Sequence, residues 1–214
     1  MQFLPRHQPK YGTIIALFLL TSCGQRLVSE IIYDGNQYYE RHEYAKALVF
    51  YQKALAQDPN NLIVENNLGV VLNELNQTTE AIKYLTAAIQ QDQKDYIAHY
   101  VLASIYLKQN KLDLALAEAI TAQSLNKTES QVYETLGRIY LARKEYPLAI
   151  STLKQLIQID QYDDNYLVLL AQAYELNQEY ALARDTGNEA LEINSDNLPA
   201  KELITRVTKF IPTP

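Results

Sequence analysis

The chain has 214 residues, 48% of them hydrophobic, with 6 Gly, 7 Pro and 1 Cys. One cysteine excludes a disulfide framework, and so little Gly and Pro agrees with an array of regular units. The formal charge is −6; without residues 1–22, which hold Arg6 and Lys10 but no acid, 17 Lys and Arg face 25 Asp and Glu, a net of −8. No basic run offsets this balance, which argues against a nucleic-acid partner, since affinity for a phosphate backbone rests on clustered cations.

Residues 1–10 carry Arg6, His7 and Lys10, and Tyr11 to Leu20 is a continuous apolar run of ten. A membrane-spanning helix needs about 20 such residues, so the run is too short to span and fits the core of a signal peptide over residues 1–22. Leu20-Thr21-Ser22-Cys23 follows. This tetrad resembles the bacterial lipobox, which implies cleavage before Cys23 and acylation of its thiol (palmitate among the acyl chains) and of its new amine. Gly24, rather than Asp, resembles an outer-membrane address. Residues 23–30 are then the lipidated cysteine and a short tether. The seven residues Gly24 to Glu30 reach about 25 Å when fully extended, which holds the following domain close to the bilayer, and more than one acyl chain makes such anchoring stable.

Over residues 31–197 one motif recurs. Ala47, Ala81, Ala115, Ala149 and Ala183 stand 34 residues apart with no insertion or deletion. Nine residues before them stand Tyr38, Leu72, Tyr106, Tyr140 and Tyr174; twelve before, the small Gly35, Gly69, Ala103, Gly137 and Ala171. Seven after stand Ala54, Ala88, Ala122, Leu156 and Ala190; eleven after, Asp58, Asp92, Asn126, Asp160 and Asn194. A fixed step of this size marks stacked supersecondary units that bury apolar surface between neighbours, so no large central core is required. The pattern resembles the tetratricopeptide repeat, whose period is the same step. The resemblance implies an all-α, right-handed α-solenoid of five helix-turn-helix repeats.

The residues agree with it. Leu62, Leu68, Val71 and Leu72, then Ile82, Leu85, Ala88 and Ile89, recur at helical spacing on either side of the polar Asn76-Gln77-Thr78. The corresponding separators are Arg41 to Glu43, Asn110-Lys111, Arg143 to Glu145 and Asn177 to Glu179. Asn61, Asp95, Ser130 and Asp163 are the expected caps of the first helices, and Pro147 stands near a helix start, where its missing N–H costs little. The small residues Gly35, Gly69 and Gly137 are expected to face the alanines of the partner helix. Asn197-Leu198-Pro199 opens a last helix, and residues 198–214 are expected to be a capping helix and tail that close the open end of the stack; the alternative is a helix lying on a membrane surface through Lys201, Arg206 and Lys209 with Leu203, Val207 and Phe210.

Reactive chemistry is sparse. His7, His42 and His99 are scattered, and no metal-ligand spacing, Ser/His/Asp trio or glycine-rich phosphate loop is present. The chain is expected to be no enzyme and to use no metal or cofactor. What the resemblance implies instead is a concave groove lined by the first helix of each repeat. Aligned on the motif, the groove columns hold Asn36, Tyr39 and Glu40, then Asn66, Asn67, Val70 and Asn73. Tyr100, Ser104, Leu107 and Lys108 follow, then Glu134, Arg138 and Leu141, and last Val168, Gln172 and Glu175. Asn36 and Asn67 match asparagines with which members of the family hold a ligand's backbone. The cationic positions that would clamp a terminal carboxylate hold Ile32, Ile97 and Val101, which opposes that mode. The whole chain is similar to the short outer-membrane lipoproteins that pilot secretin pores in type IV pilus assembly. That implies a lipid-anchored scaffold on the periplasmic face of the cell envelope that binds another envelope protein or a peptide. Alternatives are an adaptor for peptidoglycan hydrolases or proteases and, in another class, a non-catalytic subunit of an envelope enzyme.

Overall fold

A computed structural model describes residues 27–212; the expected signal segment, Cys23 and the last two residues lie outside this range. Among the described residues there are eleven helices and no strand. They are α1 (27–40), α2 (Tyr44–Gln57), α3 (Leu62–Glu74), α4 (Thr78–Gln91), α5 (Tyr96–Lys108), α6 (Leu112–Leu125), α7 (Ser130–Ala142), α8 (Tyr146–Ile159), α9 (Asp164–Leu176), α10 (Tyr180–Ile193) and α11 (Leu198–Thr208). The fold is all-α, with the consecutive helix pairing of a tetratricopeptide-repeat solenoid. The described residues divide into two compact units, the first ending at Ala88 and the second starting at Ile89. In the first, α1 packs on α2 and α3 on α4; in the second, each helix from α5 to α11 packs on the next. α1 is already helical at residue 27, inside the expected tether, because its apolar side begins with the buried Val28.

The alanine column is the floor of every pair: Ala47, Ala81, Ala115, Ala149 and Ala183 are all fully buried. The glycines twelve residues earlier do not face it, as expected, but the position four residues beyond it. A Cβ on Gly35 would stand 2.5 Å from Cε1 of Tyr51, and one on Gly137 would stand 2.6 Å from Cδ2 of Leu153. Gly69 meets Leu85 in the same way. In the third repeat the small column holds Ala103, and the residue four beyond the alanine shrinks to Ala119, in the same core cluster. In the fifth, Ala171 is matched by Gly187, over which Ile204 of α11 lies within 2.9 Å of a built Cβ. The two columns therefore share one volume, large where the partner is glycine and small where it is alanine, as close packing demands.

The short turns inside the repeats are five copies of one backbone device. His42, Asn76, Asn110, Lys144 and Gln178 all have positive φ, between 56° and 65°. After each of them the next N–H reaches back to the carbonyl of the Tyr/Leu column: Glu43 to Tyr38, Gln77 to Leu72, Lys111 to Tyr106, Glu145 to Tyr140 and Glu179 to Tyr174, at 2.8–2.9 Å. With the bond from the His42 N–H to the Tyr39 carbonyl and its four counterparts, this is the Schellman closure of a helix C-terminus, here without the usual glycine. The turn runs straight into the second helix, so α2, α6, α8 and α10 begin with no side-chain cap.

First helices start differently. Asn61 accepts from the Val64 N–H, Asp95 from Ile97 and Ala98, Asp163 from Asn165, and Asn197 from Ala200. Ser130 does not cap α7 as expected: the helix begins one residue earlier, so Glu129 takes the cap position without a side-chain bond and Ser130 is the first helical residue. The acid-or-amide column explains the approach. Asp92, Asn126, Asp160 and Asn194 each accept the N–H two residues on, an Asx turn that reverses the chain between repeats.

α11 buries Ala200, Leu203 and Val207 and packs on α9 and α10, while Phe210 beyond it stacks on Tyr180 with centroids 4.8 Å apart.

Two variants test this packing. Gly137→Ala is expected to overpack Leu153 and cost about 1–3 kcal/mol, and Leu153→Ala to cost about 2–5 kcal/mol. The double variant recreates the Ala103/Ala119 arrangement and should be more stable than the sum predicts, by about 0.5–3 kcal/mol; additive denaturation free energies would refute the shared volume. At the turns, Lys144→Gly is expected to stabilise by about 0.5–1 kcal/mol, because relief of the left-handed strain outweighs the extra freedom of glycine when unfolded. Asn76→Gly should gain less, since asparagine already tolerates that conformation; melting curves that rank the two the other way would oppose the strain argument.

Candidate partner-binding site

In the unit that ends at Ala88, the last two turns of α1 present Asn36, Tyr39 and Glu40 on one side, at helical three- and four-residue spacing. α3 presents Asn67 and Val70 beside them. These five residues and Tyr51 of α2 line a cleft of about 310 Å³. Tyr51 is not among the residues that the groove columns supply. It comes from the second helix and is only 2% exposed, yet its ring crosses α1 where Gly35 has no Cβ to block it. Its hydroxyl then emerges in the cleft and donates to Asn36 Oδ1 at 2.8 Å. The signal is present in the sequence, as the one aromatic residue in the column opposite the small residues.

Asn67 Nδ2 donates to the same Asn36 Oδ1 at 3.2 Å. The Asn36 oxygen is thus used twice and its amide orientation is fixed, so the Asn36 amide hydrogens and the Asn67 carbonyl oxygen take no part in this contact. A donor and an acceptor side by side match the C=O and N–H of an extended peptide without reading its side chains. Both phenols stay neutral. Burial, then the nearby Tyr39 and Glu40, push Tyr51 up to about 12. Burial, then Glu74 and Tyr44, push Tyr39 up to about 12.

The remaining expected residues are placed less uniformly. Asn66 and Asn73 on α3 are buried, each 5% exposed, so a partner does not reach them directly. In the unit that starts at Ile89, Tyr100 is half-buried and stacks on Tyr96 at 6.4 Å, Ser104 is half-buried and Lys108 is exposed. Leu107 and Leu141 pack against core clusters, and Val168 is buried. Arg138 and Glu134 bind each other across one turn at 2.8 Å. Gln172 is half-buried, and Glu175 is taken by Arg206 of α11 through two N–H groups at 2.5 and 2.7 Å. Val101, in one of the columns where a carboxylate clamp needs a cation, is buried. His99 is buried and its Nδ1 lies 2.6 Å from Glu118. Among the described residues no group of three or more His, Cys, Asp or Glu is placed to hold a metal ion, and no helix is long and apolar enough to cross a membrane.

The sequence family described as a domain of unknown function, DUF7017, matches residues 64–192, and a TPR repeat family matches residues 35–75. No curated protein matches the chain. Among solved structures, that of Pseudomonas aeruginosa pilF superposes with a TM-score of 0.77 at 20% identity, over 87% of this chain and 85% of that one. TTC0263, a thermophilic TPR protein of Thermus thermophilus, gives 0.73 at 19% identity, over 85% and 99%. YrrB, a TPR protein with an unusual peptide-binding site, gives 0.63 at 19% identity, over 88% and 98%. At such identities the likeness carries the fold.

The phenols offer a test of the cleft. A group whose folded pKa is raised contributes stability that is complete below its unfolded pKa and lost as pH climbs through the folded one. For Tyr51 that window runs from the ordinary value of 10.0 to about 12. Tyr51→Phe is expected to cost about 1 kcal/mol at neutral pH through the lost hydrogen bond and to flatten the fall in stability across the alkaline window. Denaturation at stepped pH measures both, and an unchanged alkaline slope would contradict the burial of this hydroxyl.

Proposed function

The chain belongs to the family of the domain of unknown function DUF7017 and is built of tetratricopeptide repeats, and on that premise we propose that it is a non-catalytic scaffold that holds an extended segment of another protein. The observation that carries this reading is the pair of asparagines in the first two repeats. Asn36 and Asn67 are locked to each other and to Tyr51, and they present one donor and one acceptor edge over a cleft open to solvent. That YrrB has a peptide-binding site supports the same mode in a chain of the same fold.

The scaffold works at a membrane surface. The charged start, the ten-residue apolar run and the Leu20-Thr21-Ser22-Cys23 tetrad support a lipid anchor on Cys23, with Gly24 directing it to the periplasmic face of the outer membrane. The likeness to pilF supports a place among pilus-assembly lipoproteins, with a secretin subunit as the partner.

Affinity capture from the producing cell's membranes tests the reading. Tyr39→Ala and Asn67→Ala are expected to reduce recovery of the partner several-fold, as removal of a central contact does, with helical content unchanged. Lys83→Ala and Gln158→Ala, on exposed second-helix positions, should leave it intact. Cys23→Ala should shift the protein from the membrane to the soluble fraction and abolish palmitate labelling. Capture that survives both groove changes but fails with the second-helix changes would move the binding surface to the other face.

A further inference from the structure

The cleft is charged on one side only. Glu40 is the last residue of α1 and Glu74 the last of α3, at the same position in successive repeats. Glu40 lines the cleft, and Glu74 lies near enough to act electrostatically on the Tyr39 hydroxyl. No cation lines it. Lys46 binds Glu43 and lies over the Tyr38 ring, and Lys53 lies over Phe50; Arg41 and Lys83 do not line the cleft.

Local helix physics gives no reason for this arrangement. The carbonyl end of a helix carries partial negative charge, so a carboxylate in the last turn is disfavoured and a cation favoured. Two acids stand at two such ends, Glu40 on the cleft and Glu74 within electrostatic reach of the Tyr39 hydroxyl that lines it. Gln37 donates one bond to Glu40 Oε2 at 3.2 Å, which leaves most of that carboxylate's accepting capacity unused. Elsewhere the chain answers an acid near a first-helix end with its own arginine: Glu175, near the end of α9, takes Arg206 through two parallel N–H groups.

We propose that the cleft between α1 and α3 selects a basic side chain, arginine above lysine, on the extended segment it holds, with the carboxylates of Glu40 and Glu74 as acceptors. The inference rests on the groove reading above and adds to it what the partner must carry. The two asparagines hold the backbone of the segment. One of its side chains then crosses the half-buried Tyr39 ring, where a guanidinium gains a favourable face contact, and ends between the two acids. Arginine is preferred because its planar fork matches carboxylates with two bonds, whereas lysine offers a point charge. An acidic segment is repelled, in keeping with the Ile32, Ile97 and Val101 that stand where a carboxylate clamp needs cations.

The test uses the full mature chain and short blocked peptides of alanine and serine with one central arginine, citrulline or glutamate, read by fluorescence anisotropy. Citrulline keeps the shape of arginine without its charge. The arginine peptide is expected to bind about tenfold more tightly than the citrulline peptide, and the glutamate peptide most weakly. Glu40→Gln and Glu74→Gln should each narrow that gap, and raising the ionic strength from about 0.05 to about 0.5 M should narrow it too. Asn67→Ala should weaken all three peptides alike. Equal binding of arginine and citrulline, or a preference that survives both glutamine substitutions, overturns the charge inference, and the groove reading stands if Asn67→Ala still weakens binding. If no peptide binds, or Asn67→Ala changes nothing, the groove reading falls and this inference with it.

Discussion

Two helices of about 14 residues bury little on their own, so each repeat depends on how closely its two axes approach. That approach is set by a shared volume. A glycine on the first helix admits Tyr51, Leu85 or Leu153 from the second, and where the first helix carries alanine the second gives way to Ala119 or Gly187. A side chain too many at either position forces neighbours apart, and one too few leaves a void, both costly in an interior packed like a crystal. The alanine column sets the floor of this contact, and the alternating columns set its fit.

The same contact makes the candidate site. Tyr51 fills the space over Gly35 as Leu85 and Leu153 fill theirs, but it ends in a hydroxyl that emerges on the other side of α1. A core position thereby supplies the donor that fixes Asn36, and Asn36 in turn fixes Asn67. The amides are held before any ligand arrives, so little further ordering cost falls on binding, which is how preorganised sites gain affinity.

How much of this the sequence discloses depends on whether a column speaks about backbone or about neighbours. The repeat step, the helix pairs, the buried alanines and the caps at Asn61, Asp95 and Asp163 are legible, because period and capping chemistry are local properties. The left-handed turn residues are hidden: His42, Lys144 and Gln178 are not residues from which positive φ is read, and only the closing bonds to the Tyr/Leu column reveal them. Ser130 misleads for a related reason. A serine two residues before an apolar run reads as a cap, yet α7 begins on Ser130 itself and leaves Glu129 in the cap position. Asn66 and Asn73 read like Asn67 because all three are polar on one helix. The structure separates them, with Asn66 and Asn73 buried and Asn67 facing the cleft.

Charge at the ends of first helices ties stability to binding. Glu40, Glu74 and Glu175 all sit where the helix dipole disfavours a carboxylate. For Glu175 the chain supplies the remedy itself, since Arg206 from α11 neutralises it and at the same time pins the capping helix. Pro199 and Asn197 start that helix where the stack ends, so the cap and the counter-charge arrive together. At Glu40 the partner is the neutral Gln37, and Glu74 acts on the Tyr39 hydroxyl. Their carboxylates retain a small local cost that a bound cation removes, and an exposed acid pair of this kind contributes little to folding and more to the choice of partner. Glu175 is thus a satisfied charge, whereas Glu40 keeps one neutral bond in the cleft where Tyr51 fixes the two amides.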